Sequence, residues 1–280
     1  MSNKNSVRVT FWGVRGSWPV CKPGYSKVGG DTSCVSLEVD GHYLIFDAGT
    51  GIINAGQEIL NRGFKRATLL MSHAHADHIN GLAFFEPLHQ KDFELTIIAG
   101  EVISKKKNAN GIEAILSQMI SPPYFPISWF KTACQKSCID VSVGAPFSVG
   151  PLKVSTIALD HPGGSTGYRV DVGEKSICYI TDTGHVPGRL NSNLVKFINQ
   201  TDLMIYDATF TEEEFKDRES WGHSTWNQAV DLANKAAVRE IALFHHSPHH
   251  DDIAMATIEV QVQERFPQAF VARQGMTRIL

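Results

Sequence analysis

The segment SHAHADHIN, residues 72 to 80, places His73, His75, Asp77 and His78 within six consecutive positions. In an extended backbone His73 and His75 point the same way, because the strand period is two, so they offer two imidazoles to one metal ion. Asp77 and His78 lie one turn further on and could serve a neighbouring ion. Imidazole and carboxylate suit zinc, and also manganese or iron. One histidine is usually only a polar turn residue, but four residues with ligand side chains after an apolar strand favour a metal site.

Three further candidate ligands stand at the ends of apolar runs elsewhere in the chain. His161 ends STIALDH, Asp182 ends ICYITD and His245 ends EIALFH. Strand ends are rigid places from which functional loops extend. A carboxylate such as Asp182 can bridge two cations about 3.5 to 4 Å apart, the separation found in two-metal hydrolases.

The elements that would position these residues are predicted from hydrophobic alternation and turn signals. SVRVTFWGV is β-branched and aromatic, and CVSLEV-DG-HYLIF alternates on both sides of Asp40-Gly41, which predicts a hairpin. Strand-rich blocks come first and again after the middle, each followed by helices, which predicts two sheets packed face to face with helices outside. Residues 101 to 138 form a less regular insertion. We find no linker or repeat, so we expect one domain over residues 1–280.

Composition restricts the class of protein and of partner. The chain has 280 residues and a net charge of −3, which is not the strongly basic footprint of a protein that binds long nucleic acid, although a local basic patch stays open. Five cysteines do not form a disulfide framework. No apolar run resembles a signal peptide or reaches the roughly 18 residues that span a bilayer. We therefore expect a cytoplasmic protein with free thiols and no membrane partner, and the sequence leaves a homodimer open.

The motif HAHADH resembles the His-x-His-x-Asp-His signature of the metallo-β-lactamase fold. FDAGTG before it and LDHPGG, YITDTG and LFHHSP after it also occur in the order of that family, so the resemblance covers almost the whole chain. It implies an α/β fold, a four-layer αββα sandwich, with a dinuclear centre between its sheets. Zinc is the expected metal, with manganese or iron as alternatives.

The resemblance also implies a ligand set of two triads and one bridging carboxylate. These are His73, His75 and His161 for one ion, Asp77, His78 and His245 for the other, and Asp182 between them. His245 is preferred to His246 because HHSP resembles the family's pattern with the ligand first. Asp47 of FDAGTG resembles the structural aspartate that orients the histidine-rich loop.

Two later motifs indicate a branch of the family. YDATF (206–210) and GHST (222–225) resemble the HEAT and HST elements of the phosphodiesterase branch, which includes tRNA 3′-processing endoribonucleases and cyclic-phosphate phosphodiesterases. His223 matches the HST histidine. Asp207, the acid that would polarise it, stands where the endonuclease has a glutamate and therefore has a shorter reach. The arm that grips tRNA has no counterpart here, which favours a small, cyclic nucleotide or ribosyl phosphodiester; a tRNA 3′-processing-type endoribonuclease is the alternative.

The implied reaction assigns a role to two of these residues. Two cations would lower the pKa of a bridging water, and the resulting hydroxide would attack phosphorus. Asp77 would bind metal and orient this nucleophile, and His223 would donate a proton to the departing ribose oxygen. Arg15, Ser165 and Thr166 are weaker candidates for phosphate contacts, since a surface charge and a glycine-rich turn explain them as well.

The sequence also allows other roles for its aromatic residues and other classes of protein on this fold. Tyr124, Phe125 and Trp129 could stack on a base, although aromatic packing against a helix is the commoner explanation. A redox iron protein on the same fold would typically need a flavin domain or a mononuclear iron site, and neither is suggested by the sequence. A catalytically silent nucleotide sensor would not need the full ligand set.

Overall fold

Two seven-stranded sheets pack face to face in the computed structural model, which describes residues 6–100 and 111–280. The first ten residues of the predicted insertion thus lie outside the described residues. Across the first sheet the strands, labelled in chain order, are β14 (Thr277–Ile279), β1 (Arg8–Gly13), β2 (Cys34–Val39), β3 (His42–Phe46), β4 (Arg66–Met71), β5 (Glu94–Gly100) and β6 (Gln135–Val141). Across the second sheet they are β13 (Ala269–Val271), β12 (Glu240–Phe244), β11 (Leu203–Asp207), β10 (Lys175–Ile180), β9 (Ser165–Val172), β8 (Leu152–Leu159) and β7 (Phe147–Val149).

Helices cover the outer faces of both sheets. The α-helices are α1 (Ile52–Asn61), α2 (Ala76–Ile79), α3 (Gly111–Met119), α4 (Ser192–Phe197), α5 (Glu212–Phe215), α6 (Trp226–Ala236) and α7 (Asp252–Arg265). Short 3₁₀ turns span Leu82–Phe84, Glu86–His89, Trp129–Lys131 and Glu219–Trp221. Apolar residues of α1 and α3 pack on the first sheet, and those of α4, α6 and α7 pack on the second. None of the helices in the described ranges is long and apolar enough to cross a membrane.

The core follows the period-two alternation of the strands. In β3, Leu44 and Phe46 face the second sheet, whereas Tyr43 and Ile45 face the outer helices. The Phe46 ring stacks on Tyr179 of β10 with 4.7 Å between ring centroids. The space between the sheets is therefore a packed apolar layer, and the predicted αββα sandwich is confirmed.

The topology brings the carboxyl ends of the central strands to one edge of the sandwich. Strands β3 to β6 run parallel in the first sheet, and β10 to β13 run parallel in the second. Strand β8 is antiparallel to β9, which is antiparallel to β10, so β8 also ends at this edge. Loops leaving the two sheets therefore meet above the core at this edge. The predicted hairpin turn lies at the opposite end of β3, where Asp40 and Gly41 have φ of 46° and 79°.

The structure adds strands that the sequence pattern did not indicate. Strand β6 lies largely within the predicted irregular insertion; it is an edge strand with little burial, so its sequence lacks an apolar face. Strands β13 and β14 are three residues long and pair at or next to sheet edges. A single domain over residues 1–280 stays a prediction.

Candidate metal centre

The histidine-rich segment leaves the end of β4 and turns directly into a short helix. Strand β4 ends at Met71, and α2 begins at Ala76 with His75 as its N-cap residue. His73 and His75 therefore lie on extended backbone, while Asp77 and His78 lie in the first helical turn. The change from extended to helical backbone divides the four side chains into two pairs.

The first predicted triad is assembled around one oxygen of Asp182. The Nε2 atom of His161 lies 3.0 Å from Nδ1 of His75. The Nε2 atoms of His73 and His161 each lie 3.7 Å from Oδ1 of Asp182. His73, His75 and His161 thus present nitrogen atoms to one small volume.

The second predicted triad faces the other oxygen of the same carboxylate. His78 Nε2 and His245 Nε2 are 3.2 Å apart, and Oδ2 of Asp77 is 3.2 Å from His245 Nε2. Asp182 Oδ2 lies 3.2 Å from His78 Nε2 and 3.4 Å from His245 Nε2. Asp182 therefore has one oxygen beside each triad.

The second nitrogen of several imidazoles is held by a protein acceptor. His78 Nδ1 lies 2.7 Å from Oδ2 of Asp47, and His161 Nδ1 lies 2.8 Å from the carbonyl oxygen of Gly222. His245 Nδ1 lies 3.0 Å from Oγ1 of Thr209. Each contact favours a proton on Nδ1 and leaves the lone pair of Nε2 facing the cluster.

Three residues of this region have left-handed backbone at the end of a strand. Asp47 follows β3 with φ of 58°, Asp182 lies just beyond β10 with φ of 58°, and His245 follows β12 with φ of 57°. Residues other than glycine rarely adopt this backbone conformation, and those that do are often found at functional sites. The sharp turn directs each side chain to the cluster immediately as its strand ends.

These residues fit a divalent cation. Among the described residues, the buried Nε2 atom of His73 has no hydrogen-bond partner, and a buried polar atom without a partner is costly unless something binds it. Burial lowers the pKa of His73, His75 and His161, which keeps these imidazoles neutral and able to donate lone pairs. Neutral imidazole is the form that binds metal.

The carboxylates of the cluster are held ionised. Burial opposes ionisation of Asp182, but the surrounding histidines, His245 and His78 foremost, outweigh it and keep the pKa of its carboxyl well below the usual range. The pKa of Asp77 is likewise lowered, because His78 and His245 outweigh burial. The backbone N–H of Ser17 also donates to Oδ2 of Asp77 at 2.6 Å. Two anionic oxygen donors thus stand among imidazoles.

His223 lies at the rim of the cluster with Asp207 behind it. Its Nδ1 is 2.9 Å from Oδ2 of Asp207 and 3.8 Å from Oδ1 of Asp182, and its ring stacks on His245 at 5.0 Å. Aspartate therefore reaches this histidine despite being shorter than glutamate. Burial alone would lower the pKa of His223, but Asp207 raises it to about 9, so the imidazole is protonated at neutral pH.

The three residues that were predicted to contact phosphate all have buried side chains. Arg15 is fully buried and donates to the carbonyl oxygens of Gly29, Ser247 and His250. Its Nε and Nη1 atoms therefore hold loops together, and the guanidinium has no exposed surface at which to meet a phosphate.

Ser165 and Thr166 are also fully buried, at the start of β9, and the Ser165 hydroxyl donates to the Thr181 carbonyl. We leave these two, like Arg15, out of the proposed site. Among the aromatic candidates, Trp129 is fully buried and donates to Glu113, so it packs within the protein, whereas Tyr124 is 82% exposed.

Several residues that orient the cluster were missed by sequence reasoning. Thr209 lies inside YDATF, and its hydroxyl connects Asp207 to His245. Tyr179 donates to Oδ2 of Asp47 from the opposite sheet, and Ser72 donates to the same carboxylate through both its N–H and its hydroxyl. Position within a quoted motif could have indicated all three, since Ser72 begins SHAHADHIN, Tyr179 begins YITDTG and Thr209 lies in YDATF.

Comparison with known proteins agrees with this architecture. A family model described as "Beta-lactamase superfamily domain" matches residues 26–246. A ribonuclease Z of Treponema pallidum is 24% identical over 86% of this chain and 89% of its own length. The YhfI protein of Bacillus subtilis, a metallo-β-lactamase fold protein, superposes with a TM-score of 0.76 at 18% identity, covering 99% of this chain and 100% of its own. A diphosphatase of the PhnP family superposes with a TM-score of 0.70 at 19% identity, covering 97% of both chains.

These findings bear on two of the predictions. The resemblance to the metallo-β-lactamase fold is confirmed by the family match and by the shared architecture. The prediction of a metallo-hydrolase is confirmed by that match, by curated relatives that are named as ribonucleases, and by the histidine–aspartate groups that could hold metal. Because the family model matches most of the chain, the chain belongs to the family that this model describes, the beta-lactamase superfamily domain.

Proposed function

We propose that this protein is a metal-dependent phosphodiesterase that hydrolyses a small nucleotide or ribosyl phosphodiester, cyclic diesters included. The observation that carries the proposal is the His223–Asp207 pair beside the cluster. A protonated imidazole fixed by a buried carboxylate is the group needed to release an alkoxide from phosphorus near neutral pH.

We assign the ligands of two divalent cations, zinc first and manganese or iron as alternatives, to the two triads. His73, His75 and His161 would hold one cation, Asp77, His78 and His245 the other, and Asp182 would bridge them. When bound, such cations supply Lewis acidity toward the phosphoryl oxygens and toward the attacking water.

The chain's own residues then divide the remaining work. Asp77, fixed by the N–H of Ser17, would orient the nucleophile on the side of the second triad. The Nδ1–H of His223 donates to Asp207, so the second proton of the imidazolium lies on Nε2, and Nε2 would pass that proton to the departing ribose oxygen. Buried walls around His223, whose side chain is 12% exposed, would limit water at the leaving group.

A second candidate function is 3′ processing of tRNA precursors. The observation that favours it is that the curated ribonuclease Z relative aligns over 89% of its own length. The net charge of −3 argues against this function, because the binding of a folded RNA depends on cationic contacts with its phosphates.

A turnover screen with zinc or manganese supplied tests the proposal. Cyclic mononucleotides, cyclic dinucleotides, ribosyl cyclic phosphates and a precursor tRNA would be compared in parallel. We expect hydrolysis of at least one small diester at a higher kcat/KM than cleavage of the precursor. Cleavage of the precursor alone would support the second candidate and contradict the small-diester assignment.

The role of His223 is tested by His223→Ala. We expect a loss of about 10²- to 10⁴-fold in kcat, the range typical of removing a general acid, with metal content unchanged by elemental analysis. His42→Ala is the matched control, since His42 lies at the opposite end of β3 from Asp47. Full turnover by His223→Ala on every diester would show that the acid assignment is wrong.

A further inference from the structure

An exposed tryptophan stands two residues before His223. Trp221 ends the 3₁₀ turn Glu219–Trp221, and 57% of its surface is exposed. A large aromatic side chain that is exposed beside a catalytic histidine has an apolar face with no protein partner on that side. This face is large enough to receive a flat heterocycle.

The ring of Trp221 is held in place from the protein side. The Arg218 guanidinium lies over the Trp221 ring at 5.5 Å and over the Phe210 ring at 5.6 Å. Phe210 is buried and lies 6.3 Å from Trp221 and 5.9 Å from His223, measured between ring centroids. Arg218 also donates to the carbonyl of Glu214. We call Phe210, Arg218 and Trp221 the aromatic shelf.

The backbone ties this shelf to the metal-ligand triad. Gly222 follows Trp221 with φ of 77°, and its carbonyl accepts from Nδ1 of His161. A Cβ atom at Gly222 would lie 2.3 Å from Cδ of Pro162 and 2.6 Å from Nδ1 of His161, so only glycine allows this approach. The position of Trp221 relative to the cluster is thereby fixed.

The place of the shelf identifies the part of the substrate that it meets. Under the proposed function, on which this inference rests, His223 protonates the leaving oxygen, so the leaving group lies on the His223 side of the phosphorus. The shelf borders that side through Phe210. A ribose whose ester oxygen is released there would carry its base toward Trp221, whether the ribose departs or, in a cyclic diester, stays bonded through its other oxygen.

The charge around the shelf limits the length of this ligand. Residues 211 to 221 contain five carboxylates, Glu212, Glu213, Glu214, Asp217 and Glu219, against two cations, Lys216 and Arg218. A long polyanion that crossed this rim would be repelled, whereas a neutral base can stack on it. The shelf therefore suits a leaving group of one or two nucleotides.

We propose that Trp221, braced by Arg218 and Phe210, is the stacking surface for the nucleobase of the leaving group and determines the preference of this enzyme for nucleoside-bearing diesters. Stacking of a base on an aromatic side chain is tolerant of base identity. The shelf would select for the presence of a base more than for its kind.

The test compares two substrates that differ only in the base. Adenosine 2′,3′-cyclic phosphate and the base-less ribose 2,3-cyclic phosphate would be hydrolysed by the manganese-loaded protein. We expect Trp221→Ala to lower kcat/KM for the adenosine diester about 5- to 150-fold, and to leave the base-less diester within about 2-fold. Trp221→Phe, which keeps an aromatic face, should retain most of the activity.

Tyr124→Ala is the matched control, because Tyr124 is an exposed aromatic residue in the region first considered for base stacking. Equal loss on both diesters in Trp221→Ala, no loss on either, or a selective loss in Tyr124→Ala would overturn the proposal.

Binding separates this inference from the proposed function. If the wild-type protein hydrolyses neither diester, the proposed function fails, and equilibrium dialysis of adenosine 5′-monophosphate still tests the shelf. Weaker binding to Trp221→Ala, by about 5-fold or more, supports it. Equal binding to both proteins overturns it.

Discussion

The imidazoles of the cluster are oriented by groups that do not face it. A carboxylate holds His78, a backbone carbonyl holds His161 and a hydroxyl holds His245. In each case the far nitrogen is engaged and the near nitrogen is left with its lone pair. Because such partners fix the tautomer and the direction of a ligand, their loss commonly lowers metal affinity 10- to 100-fold.

Substitution of Thr209 tests whether the groups that orient the imidazoles affect metal binding. We expect Thr209→Ala to weaken metal binding about 10- to 100-fold, because His245 loses the acceptor that holds its Nδ1 proton. Titration of the apoprotein against a competing chromophoric chelator measures this. Thr257→Ala, in which an exposed threonine of α7 is changed, is the control. An unchanged dissociation constant for Thr209→Ala would contradict the role given to its hydroxyl.

The residues of the cluster could be predicted from the sequence more completely than the groups that orient them. His73, His75, Asp77 and His78 are separated by fixed short spacings, so their convergence is a local property of the chain. The carbonyl of Gly222 reaches His161 across 61 residues, and the Tyr179 hydroxyl reaches Asp47 across 132. The first contact depends on how two loops of the second sheet meet and the second on how the two sheets pack, and no local pattern encodes either.

At the scale of elements, strand ends combine rigidity with an abrupt change of direction. Left-handed backbone at Asp47, Asp182 and His245 costs conformational energy, of order 1 kcal/mol or more at each position, yet it aims the side chains within two residues of a hydrogen-bonded strand. Left-handed backbone strain at a residue without a functional side chain should therefore be relieved by substitution.

Ala237 allows that comparison. It is exposed and caps α6 with φ of 52°, so Ala237→Gly should raise the free energy of unfolding by about 1 kcal/mol through relief of left-handed strain. Ala256→Gly, in the exposed middle of α7, should lower it by about 1 kcal/mol, because glycine is a poor helix former. Urea unfolding measures both, and effects of the same sign would refute this interpretation.

Elements with a buried face were predictable and those without one were not. Helix α1 buries one apolar face and ends with Arg62 at the C-cap and Gly63 at φ of 77°, where glycine is the residue expected after a helix. The alternating burial of β8 likewise matches its apolar period. Strand β6 joins the first sheet with mostly exposed side chains, so its pairing comes from backbone hydrogen bonds and from an available edge beside β5.

At the scale of the whole molecule, the cluster joins the two sheets. The loop after β4 in the first sheet carries His73, His75, Asp77 and His78, and the loops of the second sheet carry the other three ligand candidates. Each triad takes two members from the first sheet and one from the second. A cation held by either triad would therefore connect the two halves of the sandwich.

Metal binding should consequently stabilise the entire fold. A ligand that binds only the folded state adds about 2.7 kcal/mol at a free concentration 100-fold above its dissociation constant. For a chain of this size, 1 kcal/mol corresponds to about 2 to 4 °C in Tm. We expect zinc or manganese at that concentration to raise Tm by about 5 to 10 °C over chelator-treated protein in a calorimetric scan.

Asp182, the proposed bridging carboxylate, should be required for this gain, since its two oxygens face the two triads. Asp182→Ala should lose bound metal by elemental analysis and show a Tm that is independent of added cation, whereas Asp217→Ala, which changes an exposed carboxylate, should behave as wild type. A cation-induced rise in Tm that survives in Asp182→Ala would mean that metal binds elsewhere and does not join the sheets. Because the comparison is made within each variant, any loss of stability from the substitution itself does not affect the conclusion.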